Sequence, residues 1–521
     1  MSISQDSTCD ERRLPTRREW IWILIAAAVA TALRAVVAER SGFSQDEYNT
    51  LRTLSRPVWE SITRLIGATH SPLPFLYERI FYVISDDQTF LRLSSALAVG
   101  TGVIAIALLA IEMRLRSALA PLLILAVFSP YWERIGLMFR YTMPMVTLAT
   151  LWTWLLMRDL RRPTLGSAIA ATLLGVLTLW THASANFIGL GLGIFAIVTA
   201  LHTDGLRLRR LARAVTPLLL ALLTIVPKAL AIRAWAEADV VSDLDPSRPE
   251  IGEMWKISLQ TLFSDAHLLE QMTRLSNDIF IAIQTALIVV ALVLLVVRVR
   301  RGEALPLLSL LLCTLPVIAM CIYIVSWTTD DIHERVRYQA YVSVPLLLLM
   351  AVAWGDSRRL GIWRHVYRGA LALTMGLAFI AQAINIGDGH REAVQWLASV
   401  RRPGEPVAVV AEWNEKAFSY LDLTPMEGIT FIDKYIDDEE LAAAIREALA
   451  DAPTGHIFTG TRQSTVREIA SAFASEERFA ELRISHVGNV QIISFARTQE
   501  GADRIADYPP VPEFWIQVET H

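Results

Sequence analysis

Charge and cysteine are what this chain of 521 residues has little of. Asp, Glu, Lys and Arg make up 19% of it against 53% hydrophobic residues, and its mean hydropathy is +0.40. Soluble domains average about 25% charged residues. The shortfall argues against an ordinary soluble fold and for a polytopic membrane protein. The three cysteines, Cys9, Cys313 and Cys321, lie on the N-terminal tail and one apolar segment, which argues against a disulfide framework or a zinc site. Lysine is almost missing, 4 residues among 48 basic ones. A net charge of -4 leaves no basic surplus for a nucleic-acid partner.

What the chain has instead is long apolar runs. Residues 1–19 are polar and include Arg12, Arg13, Arg17 and Arg18, ahead of a first run at 20–38. A basic lead also fits a signal peptide. Arg34, however, interrupts what should be a continuous apolar core, so the run reads as an uncleaved span with its N-terminus cytoplasmic. Further runs of spanning length lie at about 93–111, 118–131, 142–158, 165–182, 185–201, 214–232, 278–298, 305–326, 339–355 and 368–386. Charge sorts the connections. Segments 112–117, 158–162, 202–213, 298–301 and 356–368 are short and Arg-rich, hence cytoplasmic. Loops 39–91, 182–185, 233–277 and 327–338, and everything after 387, fall on the other side. The expectation is an α-helical membrane protein of about eleven transmembrane helices.

Loop 39–91 carries the costliest residues. Asp46 and Glu47 stand together just past the first span, where ionised groups near hydrocarbon lose solvation. A carboxylate there could serve as general base toward a hydroxyl or as a metal ligand; a hydrated acidic pair is the plainer reading of the dipeptide alone. A His70-Ser71-Pro72-Leu73-Pro74 turn follows. Val58, Trp59, Ile62, Leu65 and Ile66 share one face at helical spacing, and Leu73–Ser85 is a second short, aromatic-rich segment. Both are too short to span and are expected in the membrane interface, as packing helices or as a lid.

Two more outer segments concentrate charge. Arg140 follows Ser129-Pro130-Tyr131-Trp132-Glu133-Arg134 and sits outside, against the charge bias. It could snorkel to headgroups or hold phosphate oxygens in its planar fork. Thr328–Tyr338 reads TTDDIHERVRY, whose acids could form loop ion pairs and whose Arg337 could meet headgroups. His182 and His333 read as structural polar groups rather than ligands.

Past 387 the pattern turns to alternating short elements. Arg391–Val400 is amphipathic, Pro406–Ala411 and Gly428–Ile432 are strand-like, and acids open a helix at Asp437–Ala450. A strand at His456–Gly460, a helix at Thr465–Ala474 and a hairpin at Arg483–Ala496 about Gly488-Asn489 complete a small α/β domain on the outer side.

Taken in order, these pieces resemble the GT-C superfamily of integral-membrane glycosyltransferases, in the branch with protein O-mannosyltransferases and lipid A aminoarabinose transferase. The matching residues are Asp46-Glu47, the turn with His70, Pro72 and Pro74, and Arg92-Leu93-Ser94-Ser95 opening the second span. Ser129-Pro130 with Arg140, Thr181-His182, Arg337-Tyr338 with Pro345, and His390-Arg391-Glu392-Ala393 continue the series. No single piece is specific; the ordered set is. The resemblance implies a catalytic membrane module at 1–386, with its active site in loop 39–91, and a periplasmic α/β domain at 387–521, in a bacterial inner membrane. It implies inverting transfer of a hexosyl or pentosyl group from a polyprenyl-phosphate donor to a lipid, glycan or protein hydroxyl. Asp46 is then the base, Glu47 its neighbour, and Arg140, Arg337, Tyr338 and His70 the donor-phosphate ligands. The resemblance fixes no cofactor, although Asp46, Glu47 and His70 could assemble a divalent-cation site. One feature departs from the family. Many members carry Gln-Glu two to three residues before the arginine, where this chain has Leu137-Met138 and its nearest acid is Glu133.

Two other classes compete. A transporter or flippase of a lipid-linked substrate would put ionisable residues near the bilayer midplane and show repeated halves, and here the acids cluster at one face without a repeat. A scaffold displaying the outer domain leaves Asp46 and Glu47 without a task.

Overall fold

The computed structural model describes residues 14–38, 45–66, 71–202, 207–227, 251–263, 269, 273, 275–325, 336–384, 390–410, 428–432, 437–449, 452–459, 463–476, 480–487 and 490–510. The chain divides into two units, Met1–Glu39 with Thr53–Ala383, and Arg40–Arg52 with Ile384–His521.

In the first unit, helices α1 (Arg17–Ala38), α5 (Gln88–Glu112), α10 (Ala185–His202), α13 (Asn277–Val299), α14 (Leu305–Val325) and α16 (Trp363–Ile384) are long and apolar enough to cross a membrane. So is the segment Arg337–Leu360 around α15 (Ser343–Asp356). That makes 7 candidate spans among the described residues, or 8 with the bent pair discussed below. The other expected runs coincide with α8 (Thr142–Arg161), α9 (Leu165–Leu179) and α11 (Arg207–Leu223), which fall short in apolarity or length. α8 is polar because of its threonines, yet it is mostly buried. Thr150 and Thr153 donate to the carbonyls of Val146 and Ala149, both at 2.7 Å, so these hydroxyls enter an apolar interior already bonded.

Enclosure separates centre from rim. The α5 and Arg337–Leu360 spans are 78% and 83% enclosed, whereas the other candidate spans lie between 28% and 44%. α1 accordingly shows Ile21, Trp22, Leu24, Ile25 and Val29 outward, as a lipid-facing helix does. It packs so closely on α5 that a Cβ at Gly100 would lie 2.3 Å from Thr31 Oγ1 and 3.0 Å from the Ala27 carbonyl.

The expected run at 118–131 is a broken element. α6 (Leu119–Val127) stops, and α7 (Pro130–Leu137) starts after Phe128 and Ser129, in a pair bent by 49°. Pro130 suits the first turn of α7, and Ser129 Oγ accepts the Trp132 N–H to cap it. The break frees carbonyls at the end of α6, and Arg34 of α1 fills that need. Its guanidinium donates to the Val127 carbonyl at 2.6 Å and the Ala30 carbonyl at 3.3 Å, and it pairs with Glu133 at 2.9 Å. Both charged side chains are wholly buried.

Arg-rich connections meet at one end of the bundle. Arg116 pairs with Glu19, Arg161 with Glu112, Arg213 with Asp159, and Arg298 with Asp356. Arg298 also donates to Ser117 Oγ, tying a fifth link across the same end.

Two short helices belong to the expected interfacial segments. In α3 (Val58–Ile66), Leu65 is buried while Val58 and Trp59 are exposed, so the five residues expected on one face divide between protein and surroundings. In α4 (Pro72–Ile84), Glu78 is buried and Leu76, Ile80, Val83 and Ile84 face out. An inward carboxylate and an outward apolar stripe invert the usual soluble pattern and suit lipid surroundings.

The second unit holds a five-stranded sheet in the order β2-β1-β3-β5-β4. Strands β1 (Val407–Val410), β2 (Ile429–Ile432) and β3 (Thr454–Thr459) run parallel; β5 (Val490–Ala496) is antiparallel to β3 and to β4 (Glu481–Val487). Alternating residues feed two cores, as the pleat requires. Val407 and Val409 pack with Trp396 and Leu397 of α17 (His390–Val400) and Ile505 of the helix Gln499–Ala506. Ala408 and Val410 pack with Leu441 and Ile445 of α18 (Asp438–Ala448) and Phe473 of α19 (Gln463–Glu476).

Candidate active site

Three interruptions of the helices, far apart in sequence, come together in the first unit. The first is the Met138–Tyr141 turn between α7 and α8, which carries Arg140 and Tyr141. Ser95 of α5 donates to the Met138 carbonyl at 2.5 Å and so helps hold that turn. The second is the 180–184 turn between α9 and α10, which carries His182. The third is the 3-10 helix Val336–Val342, which carries Arg337 and Tyr338. Chain turns expose backbone polar groups, so they are tolerated at membrane depth only where protein surrounds them or a cavity is lined.

Their side chains form a stack. The rings of Tyr141 and His182 lie parallel, 2° apart in plane with centroids 4.1 Å apart. His182 and Tyr338 follow at 5.5 Å and 25°. Arg140 Cζ lies 5.4 Å from the Tyr141 ring centroid and Arg337 Cζ lies 5.5 Å from that of Tyr338. Two guanidiniums thus sit on the two tyrosines of one Tyr-His-Tyr stack. Cation–π contact of this kind offsets part of what burying Arg costs and holds its planar fork in one orientation. Arg140, Tyr141 and His182 are buried, whereas Arg337 and Tyr338 are half-buried. Tyr131 of α7 is buried as well.

The neighbouring shell is hydrogen-bonded across elements. Trp132 Nε1 donates to Ser343 Oγ at 3.0 Å, and Ser258 donates to Gln339 Oε1 at 2.7 Å. The 3-10 helix that presents Arg337 is therefore held from α12 (Ile251–Phe263) as well.

Asp46 and Glu47 belong to the second unit, on α2 (Gln45–Leu54). They occupy the first turn, where the helix dipole favours negative charge. Glu47 is buried. The side chain of Asp46 lies outside the described residues, as do His70 and His333. Among the described residues no three His, Cys, Asp or Glu side chains are grouped to hold a metal. Glu133, the acid nearest Arg140 in sequence, is paired with Arg34.

Arg140, Arg337 and Tyr338 were legible as candidates one at a time. His182 was legible only as one piece of the ordered series, and that its ring meets those of Tyr141 and Tyr338 was not legible at all. The available signal was that each arginine is followed directly by tyrosine, a repeated Arg-Tyr pair.

No protein-family model matches the chain, and no curated protein matches its sequence. Solved structures do resemble it. ArnT from Cupriavidus metallidurans in the apo state superposes with a TM-score of 0.50 at 13% identity, covering 93% of this chain and 99% of that one. The Archaeoglobus fulgidus oligosaccharyltransferase, in complex with zinc and sulfate, gives 0.50 at 13% identity over 92% of this chain and 73% of that one. The same ArnT bound to undecaprenyl phosphate gives 0.49 at 13% identity, covering 94% and 99% of the two chains. These neighbours are GT-C glycosyltransferases. With its apolar spans, the chain is an integral membrane protein that has the GT-C fold.

Proposed function

We propose that this protein is an inverting glycosyltransferase that takes a sugar from a polyprenyl-phosphate donor to an acceptor hydroxyl at the periplasmic face. The observation that carries the reading is the pair Arg140 and Arg337 on one aromatic stack, within a fold shared with glycosyltransferases. In such a transfer the acceptor oxygen attacks the anomeric carbon while its proton passes to Asp46. The bond from that carbon to the phosphate oxygen breaks, and the phosphodiester monoanion becomes a phosphomonoester dianion. Charge grows on the leaving phosphate, which is where two fixed guanidiniums lower the barrier. A phosphate is a good leaving group, so the base and the cations matter more than a general acid.

Glu47 orients Asp46 in this scheme, and His70 and Tyr338 join the arginines around the phosphate. The catalytic module is 1–386, with its N-terminus cytoplasmic and eleven spans; 387–521 form a periplasmic domain in a bacterial inner membrane. Acceptors in keeping with this face are lipid, glycan or protein hydroxyls. The archaeal neighbour was solved with zinc. Here Glu47 is the one described side chain of the Asp46, Glu47 and His70 set, so no step is drawn through a metal. The competing class, a transporter of a lipid-linked substrate, would draw on the broken α6–α7 element and the buried Arg34 and Glu133, but those two charges are engaged with each other and with the Val127 and Ala30 carbonyls.

The test is Asp46→Asn in membranes supplied with labelled polyprenyl-phosphate sugar. Transfer should collapse at unchanged protein level. Undiminished transfer would remove Asp46 from the role of base.

A further inference from the structure

The imidazole of His182 is held more tightly than a structural polar group needs. Its Nδ1 accepts the backbone N–H of Ser184 at 3.1 Å and lies 3.0 Å from Ser184 Oγ, whose hydroxyl is 3.7 Å from Met145 Sδ. An Nδ1 that accepts an N–H carries no proton, so the ring's proton is on Nε2 and the ring is neutral. A second proton on Nδ1 would break the bond from Ser184. The ring also stacks with two tyrosines, Tyr141 at 4.1 Å and Tyr338 at 5.5 Å.

The geometry has a consequence for the two arginines. Tyr141 directly follows Arg140 and Tyr338 directly follows Arg337, and each guanidinium lies against its own tyrosine ring, so contacts made by the tyrosines bear on where the guanidiniums sit. The Met138–Tyr141 turn and the 3-10 helix Val336–Val342 are bridged, in this stack, by the His182 ring. We infer that His182 is a positioning residue, a flat uncharged spacer that sets the separation of Arg140 and Arg337 and so matches the pair to a lipid-linked phosphate. The inference rests on the donor-phosphate reading above.

Because the role belongs to the flat ring and not to a proton, a planar replacement should serve and a bulky non-planar one should not. His182→Phe keeps the plane but leaves the Ser184 N–H without its acceptor, so it should lower the melting temperature. His182→Leu keeps comparable bulk without the plane. The measurement is the affinity of the purified full-length protein in detergent for polyprenyl phosphate, with melting temperature recorded alongside. His182→Phe should bind within about threefold of wild type despite reduced stability. His182→Leu should bind on the order of tenfold more weakly at comparable stability, a span consistent with a misplaced charge-assisted contact. Arg140→Ala serves as the reference for loss of the phosphate contact itself.

Equal weakening in Phe and Leu overturns the spacer, because the imidazole nitrogens would then matter. Wild-type affinity in both overturns it also, leaving His182 a packing residue. If Arg140→Ala binds as tightly as wild type, the donor reading itself fails, and that result is distinct from either of the others.

Discussion

A guanidinium inside an apolar bundle has few tolerable environments, and this chain uses two of them. Arg34 is sunk wholly and neutralised by Glu133, with carbonyls of the broken α6–α7 pair taking its other N–H groups. Removing one partner of such a pair strands a charge. Glu133→Ala should cost about 3–5 kcal/mol of stability, seen as a large fall in melting temperature, whereas Arg34→Met with Glu133→Leu should recover most of it. A single variant as stable as wild type would mean the pair is not needed. Arg140 and Arg337 are instead laid on tyrosine faces. Arg140→Ala should cut transfer by about 10²–10³-fold, the usual loss for one group that stabilises developing charge. Arg140→Lys should recover little, since an ammonium has neither the fork nor the plane. Sequence could mark Arg140 because a cation on the outer side breaks the charge bias. It could not tell that Glu133 was already committed to Arg34, because their contact follows no local period.

At the scale of elements, signals carried by neighbouring residues are legible in the sequence and tertiary ones are not. Ser129-Pro130 is a helix-start signal, and the structure places α7 there; Ser129→Ala should destabilise by about 1 kcal/mol through the lost cap. What the apolar run at 118–131 concealed was the 49° bend, because hydropathy does not register direction. The strands beyond 387 were legible from β-branched runs and fall within a few residues of their expected positions, yet the helix Gln499–Ala506 was missed. That helix supplies Arg504 to a half-buried polar cluster around buried His456. Glu405 accepts from Thr454 at 2.5 Å, from the Arg402 N–H at 2.8 Å and from Arg504, and it faces His456 Nε2 at 3.6 Å. Burial lowers the pKa of the His456 ring, against the pull of Glu405. Burial would raise that of Glu405, but His456, Thr454, Arg402 and Arg504 together hold it well below the usual carboxylate range. The unfolded chain takes up these protons near pH 6.5 and 4.3. It therefore binds more protons than the native state at low pH, and stability is lost as pH falls, first below about 6.5 through His456 and later through Glu405. Hydrogen exchange of β3 and β5 amides in the full-length protein, corrected for intrinsic rate, should speed up about tenfold from pH 7.5 to 5.5 if His456 stays neutral. Unchanged protection would contradict that placement of His456.

For the whole molecule, composition and charge sorting gave the most. The Arg-rich connections expected on one side do touch one another at one end of the bundle, through Arg116, Arg161, Arg213 and Arg298. Long-range convergence was the part sequence could not supply. Tyr141, His182 and Tyr338 come from three separate turns, and only their packing makes them a stack. What separates a transferase from a transporter is the fate of one covalent bond, between the sugar and the lipid phosphate. Purified protein in vesicles holding a polyprenyl-phosphate sugar, labelled in both sugar and phosphate, should release polyprenyl phosphate and pass the sugar to an acceptor with inverted anomeric configuration. Neither should occur with Asp46→Asn. Movement of the doubly labelled lipid across the bilayer with that bond intact, and no free polyprenyl phosphate, would contradict it.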